Sequence, residues 1–135
     1  MEFVAEPHVG VLAVASDSDR PPLAVPLFYA YEPGGDITLF TATGHRTPRK
    51  LRLIEKAGVV SLVVQREEPP RRYITVEGTV VRTDRPPRAA QMLTIARRYM
   101  SEAAAQQFVS SELANPGPEL VVLTIRPDRF LTGPS

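Results

Sequence analysis

Few residues in this chain are equipped for chemistry. There is no cysteine, which excludes disulfides, thiol nucleophiles and thiolate metal sites together. The two histidines, His8 and His45, lie far apart, and no carboxylate stands at a ligand-like spacing from either. No serine sits in a nucleophile-elbow pattern, and neither a G-x-G-x-x-G loop nor a P-loop lysine occurs. Glu67 and Glu68 fall in a proline-rich turn and read as solvated charges. What remains is the stretch FTATGHRTPRKLRLIEKAG, from Phe40 to Gly58. Thr47 is a good N-cap and Pro48 suits the first helical position, so a helix is expected over Pro48–Ala57, ended by Gly58. Its start carries Arg46, Arg49 and Lys50. A helix N-terminus already presents free N–H groups and partial positive charge, so added cations repel it unless an anion is present. The stretch is therefore a candidate anion cradle, the alternative being a solvated basic helix.

The elements that must position this cradle are mostly strands. Val9–Ala15 is apolar nearly throughout and suits a strand buried on both faces. Leu23–Tyr31 (LAVPLFYAY) is apolar on both alternating faces. Pro26 inside it implies an edge, a bulge, or a place where something other than a strand lies alongside. Ile37–Ala42 follows a Glu32–Asp36 turn, Val59–Gln65 follows the basic helix, and Arg72–Arg82 alternates with Gly78 as a bulge or bend. Thr83 or Asp84 is expected to cap a helix containing Met92, Ile95, Ala96 and Tyr99. A second helix begins near Ser101 and runs to about Leu113, with Phe108, Val109 and Leu113 inward, and Leu120–Ile125 is the last strand. Tyr29, Tyr31, Tyr99 and Phe108 read as packing residues. Six short strands joined by tight turns, with helical insertions, predict a mainly β protein, a β-barrel with helices packed outside, as one domain over 1–135.

Composition bounds the partners. The net charge is only +1, so no whole-molecule field attracts nucleic acid and any anion preference is local. Apolar runs fall far short of a membrane span and the N-terminus lacks a signal pattern, so a cytoplasmic protein without membrane partners is expected. An oligonucleotide-binding barrel would interleave aromatics with basic residues along a groove, whereas here the basics cluster at one helix.

An anion cradle beside two-faced apolar strands suits a ligand with a phosphate at one end and a flat ring at the other. In order and spacing, VGVLAVA, AVPLFYAYEPGGDITLFTAT, RKLRLIEKAGVVSLVVQ, PPRRYITVEGTVV and LTIRPDRFLT resemble the FMN-binding split-barrel family related to pyridoxamine 5′-phosphate oxidase, which includes flavin- and deazaflavin-dependent oxidoreductases. The resemblance implies a six-stranded split β-barrel, homodimeric, with cofactor sites shared between two copies of the chain. It implies FMN or coenzyme F-420 (8-hydroxy-5-deazaflavin) as cofactor and hydride or electron transfer to a small-molecule substrate. By position, Val25, Pro26, Leu27 and Phe28 would lie along the cofactor ring, and Thr41, Thr43, Arg49 and Lys50 would hold its phosphate arm. His45 and Arg46, in the loop between, are further contact candidates, and Pro48 stands where many relatives carry a serine. Tyr73 and Arg129 are the candidates for substrate contact, Tyr73 also for the cofactor, both able to come from the partner copy. No side chain is assigned as an indispensable acid or base. The oxidase's own substrate motifs are not recognisable, so vitamin B6 synthesis is not expected, and a non-catalytic flavin-binding or cofactor-carrier protein is the alternative. Arg46, Arg49, Lys50, Arg52 and Lys56 are five cations within eleven positions, a surplus that suits the charged tail of a deazaflavin better than a lone phosphate.

Overall fold

The computed structural model describes residues 2–17, 19–42, 49–114 and 120–133. In chain order the elements are α1 (Glu2–Ala5), β1 (Gly10–Val14), β2 (Leu23–Leu27), β3 (Tyr29–Tyr31), β4 (Ile37–Ala42), α2 (Arg49–Ala57), β5 (Val59–Arg66), β6 (Arg72–Asp84), α3 (Ala89–Ala96), α4 (Glu102–Ala114) and β7 (Leu120–Gly133). The strands form one antiparallel sheet of seven in the order β2-β1-β5-β6-β7-β4-β3. β2 and β3 are consecutive in the chain, separated by Phe28 alone, yet they occupy opposite ends of the sheet. One residue spans only about 3.8 Å. The sheet must therefore curl until its ends meet, which makes a split barrel.

This corrects the expectation of six strands. Leu23–Tyr31 is two strands, because Leu23–Leu27 pairs with β1 while Tyr29–Tyr31 pairs with β4. Unbroken alternation across Phe28 hid the change of partner. Pro26 lies, as a strand proline should, on an edge strand.

The barrel interior is filled by alternate residues of each strand, among them Leu12, Leu39, Leu62, Ile74, Val76 and Leu123. Leu51, Leu53 and Ile54 of α2 join the same core, so the basic helix is anchored by its apolar stripe. Gly58 ends it at φ +72°, its N–H donating to the Ile54 carbonyl at 2.9 Å. α3 and α4 cover one outer patch: Met92, Val109 and Val122 form a second small core with Phe40 and Phe108 against it. β7 is thus buried on both faces around Val121, Val122 and Leu123. β1 is not. Val11 is 37% exposed, because the helices sit over β4 and β7 and leave the outer face of β1 open, contrary to the two-faced burial expected of it.

Two boundaries and one burial also differ. Thr83 and Asp84 remain in β6, held by pairing to Leu123 and Val122, and α3 starts later, where Gln91 accepts the Arg88 N–H and donates to Asp84, each at 2.8 Å. Leu113 continues the helical stripe of Ala105 and Val109 but is 44% exposed, its cover having ended. The segment after Ile125 extends β7 to Gly133, pairing with β6. It tolerates Pro127 because the register shifts at Gly78: Glu77 faces Arg129 and Gly78 faces Pro127, leaving Asp128 as the extra residue.

Candidate functional site

The split in the barrel opens into an apolar groove with a cation at one end. Among the described residues β2 pairs only with β1, and β3 covers β4 only over Ile37–Leu39, so there the Phe40–Ala42 end of β4 has β7 on one side alone. Between these two free edges lies a groove of about 460 Å³. Val25, Pro26, Leu27 and Phe28 line one wall, Phe40 and Thr41 the other, and Lys50 enters from α2. Val9, Leu120, and Phe108 and Glu112 of α4 complete it. The size and the apolar lining with a few convergent polar groups are those of a small-molecule site.

Thr41 is the buried polar side chain among the described residues, because it continues the inward series of Ile37 and Leu39 past the end of the core. Lys50, on the first turn of α2, donates from Nζ to Thr41 Oγ1 at 2.8 Å. Burial disfavours its charged form and pulls its pKa below the ordinary lysine value. An anion at this mouth would favour the charged form again.

Tyr99 holds the Phe28 crossing in place. Its hydroxyl accepts the Tyr29 N–H at 3.3 Å and lies 2.7 Å from the His8 carbonyl and 3.1 Å from that of Tyr29. A side chain thereby replaces the strand neighbour that the split removes. Its ring stacks on Phe28 at 4.1 Å and 12°. Arg98 beside it donates to the carbonyls of Tyr31 and Glu6, and the Tyr29 hydroxyl donates to the Val4 carbonyl at 2.6 Å, which ties α1 to the same seam. Burial raises both tyrosine hydroxyls above the ordinary range.

Of the residues singled out from sequence, the groove therefore gathers Val25, Pro26, Leu27, Phe28, Thr41 and Lys50. Arg49 turns toward the β1–β2 connection, its Nη2 donating to Ser16 Oγ at 3.4 Å. Thr43, His45 and Arg46 lie outside the described residues, as do Thr47 and Pro48. Tyr73 and Arg129 do not line the groove. Tyr73 is on β6 opposite Gly133, and Arg129 on β7 lines a second hollow of about 630 Å³ with Glu77 and Asp128, its Nε 3.8 Å from Glu77 Oε1. Arg52 is ion-paired with Asp17 and holds that carboxyl below its usual range. The row of cations along α2 is thus partly neutralised by a contact that no local pattern revealed. His8 stacks on Phe3 and pairs with Glu6 at 3.1 Å. Sequence reasoning missed Phe40 and Glu112 as wall residues and took Tyr99 and Phe108 for packing alone. Only strand and helix pairing brings these four to one place.

Among the described residues no cluster of histidine and carboxylate groups could hold a metal, and no helix is long and apolar enough to cross a membrane.

Fold and groove together define a split-barrel protein with a candidate site at the closure of the barrel. The chain belongs to the pyridoxamine 5′-phosphate oxidase family, whose N-terminal domain it matches over residues 1–132. Solved structures share the fold. An F420 reductase is 22% identical with a TM-score of 0.70, covering 96% of this chain and 94% of its own. An FAD-binding protein from Mesorhizobium loti is 20% identical with a TM-score of 0.59, covering 97% and 88%. HutZ, a heme storage protein from Vibrio cholerae, is 15% identical with a TM-score of 0.63, covering 98% and 92%. No curated protein sequence matches significantly.

Proposed function

We propose that the split holds a flavin-type cofactor, FMN or coenzyme F-420, and that the protein is an oxidoreductase acting on a small molecule. The observation that carries this reading is the Lys50–Thr41 pair at the polar end of an apolar groove walled by Val25–Phe28. The residues fit such a group: a flat ring matches apolar walls set between two strand edges, and a partly desolvated ammonium matches a phosphate arm. When bound, the cofactor supplies hydride or electron transfer at its ring; the chain supplies position, charge and the exclusion of water. Lys50 would hold the anionic arm, and Val25–Phe28 would line the ring. Phe28, Phe40 and Phe108 keep water from its faces, with Tyr99 bracing Phe28 from behind.

The working unit is a homodimer. On the uncovered outer face, register aligns Pro26, Val11, Val63, Thr75 and Leu131 side by side across five strands. Val11 and Leu131 are 37% and 43% exposed. A mainly apolar row of this length is characteristic of an interface. Tyr73 and Arg129 lie on the strands of that face, so a second copy docked there can bring them to its partner's groove as substrate contacts. A non-catalytic carrier is the second reading, supported by the heme storage protein among the fold relatives.

The test is titration of purified protein with FMN and with coenzyme F-420, together with light scattering. Saturable binding that Lys50→Met weakens, in a dimer that Val11→Glu dissociates, is expected. No binding of either cofactor refutes the assignment of the groove, and a stable monomer at micromolar concentration refutes the shared site. Turnover of a bound, reduced cofactor separates the enzyme from the carrier.

A further inference from the structure

We infer that Glu112, on the α4 wall of the split, determines substrate specificity by selecting a cationic nitrogen group carried on a flat apolar frame. This rests on the reading of the groove as the cofactor site and names the class of substrate that the site admits.

The last turn of α4 is inverted. Leu113 is 44% exposed and Ser111 and Ala114 are exposed with it, whereas the acid among them, Glu112, is half-buried. Carboxylates are among the side chains least often covered unless they are paired. Glu112 is not paired: its side chain makes no hydrogen bond or ion pair among the described residues. Nor does the helix compensate it. The end of α4 carries partial negative charge, and its last turn holds no basic residue. What Glu112 meets instead is the groove, in company with Phe40, Leu120 and, one turn earlier on the same helix face, Phe108. Such a break in the local pattern is expected at a functional position.

The groove thus holds two opposite charges that do not neutralise each other. Lys50 donates to Thr41 Oγ1 at the polar end, and no ion pair joins it to Glu112. In the proposed function the phosphate arm of the cofactor takes Lys50, which leaves the Glu112 carboxylate without a counterpart. A substrate must lie against the cofactor ring to give or accept hydride, so it enters this same groove. A group that covers Glu112 there has to donate hydrogen bonds and carry positive charge, since an acceptor or an anion would leave the carboxylate uncompensated. The rings of Phe40 and Phe108, with centroids 5.6 Å apart, favour a flat frame behind that group, and aromatic faces also attract a cation.

The probes are benzamidine, benzamide and benzoate, which share a flat ring and a shape and are cation, neutral molecule and anion at neutral pH. Dissociation constants are measured by calorimetry on the cofactor-saturated protein for wild type, Glu112→Gln and the control Glu68→Gln, which makes the same charge change in an exposed turn. Melting curves show that each is folded. Wild type should bind benzamidine more tightly than benzamide by roughly tenfold, as a hydrogen bond to a charged group implies, and benzoate most weakly. Glu112→Gln should abolish the gap between benzamidine and benzamide, and Glu68→Gln should keep it. Equal affinities in wild type, no saturable benzamidine binding, or a gap that survives in Glu112→Gln or vanishes equally in Glu68→Gln overturn the inference while leaving the groove as the cofactor site. If neither FMN nor coenzyme F-420 saturates the protein, the reading of the groove fails and the substrate class with it. Should Glu112→Gln not fold, the ranking of the three probes on wild type decides alone.

Discussion

Replacing Lys50 by methionine tests the site against a merely structural role. Methionine keeps an unbranched apolar stem, so packing against the groove is largely retained. Two changes in the cofactor-free protein oppose each other. A partly desolvated cation is removed, which stabilises, and Thr41 Oγ1 loses its donor at 2.8 Å, which costs about 1 kcal/mol. Stability without cofactor should therefore change by no more than about 1 kcal/mol. Binding is different, because a hydrogen bond to a charged phosphate contributes about 1.5–3 kcal/mol, or tenfold to 150-fold in affinity. The pH dependence adds a second signature. Burial sets the Lys50 pKa below its ordinary value, so affinity for a phosphate-bearing cofactor should fall as pH rises through that lowered pKa, before exposed lysines titrate. The stability of the free protein should move oppositely. Between the lowered folded pKa and the ordinary 10.5 the unfolded chain binds more protons, so stability rises with pH there. Fluorescence titrations of wild type and Lys50→Met across alkaline pH measure both. Wild-type affinity in the variant, or an alkaline loss that persists in it, would refute the assignment of Lys50 to the phosphate.

Other substitutions probe the scaffold. Tyr99→Phe keeps the stack on Phe28 but removes the hydroxyl shared by Tyr29 and His8, and should cost about 1–3 kcal/mol in urea denaturation; no loss would mean the seam closes without it. At Gly78 an added Cβ would meet the Ile125 side chain and lie 2.9 Å from the Arg126 carbonyl oxygen, so Gly78→Ala should destabilise by about 1–3 kcal/mol, the backbone being unable to yield cheaply. Glu102 is held down to about 2 by Arg97, which donates to both its oxygens at 2.8 and 2.9 Å. Its contribution to stability is present above the ordinary 4.5 and lost as pH falls toward about 2, and Glu102→Gln should flatten that part of the acid-denaturation profile.

Most elements were legible in the sequence because their signals are local. The basic helix announced its end at Gly58, the turn before β4 its glycines, and the irregularity in the β6–β7 pairing its Gly78. What was illegible depends on pairing. The alternation of Leu23–Tyr31 carries no mark of the point where the chain leaves one sheet end for the other. The β7 extension was obscured by Pro127 and its charged neighbours, since only a register shift against Gly78, with Asp128 as the extra residue, makes room for them. The site was legible in part. Lys50, Thr41 and Val25–Phe28 follow from cap position and strand apolarity together with the family resemblance, whereas the Arg52–Asp17 pair joins residues from separate elements and no periodicity could reveal it.

The break at Phe28 links the fold to the chemistry. A barrel with a continuous hydrogen-bond ladder has no free backbone edge and nowhere for a flat ring to lie between strands. Here a single residue carries the chain across the closure, leaving β2 and the end of β4 each with an unpaired edge facing the other. Unpaired edges are costly to bury and hazardous to expose, so something must lie against them. At the Tyr29 end a tyrosine hydroxyl does so, bonded to both backbone groups of that residue. Toward Pro26 the walls turn apolar and the opening widens to about 460 Å³. One end of the seam is sealed by a side chain, and the other is open as the groove proposed to hold the cofactor. A chain whose described groove residues include so few acids and bases can still support redox chemistry under these conditions, because the cofactor would bring the reactivity and the seam needs only to hold it still.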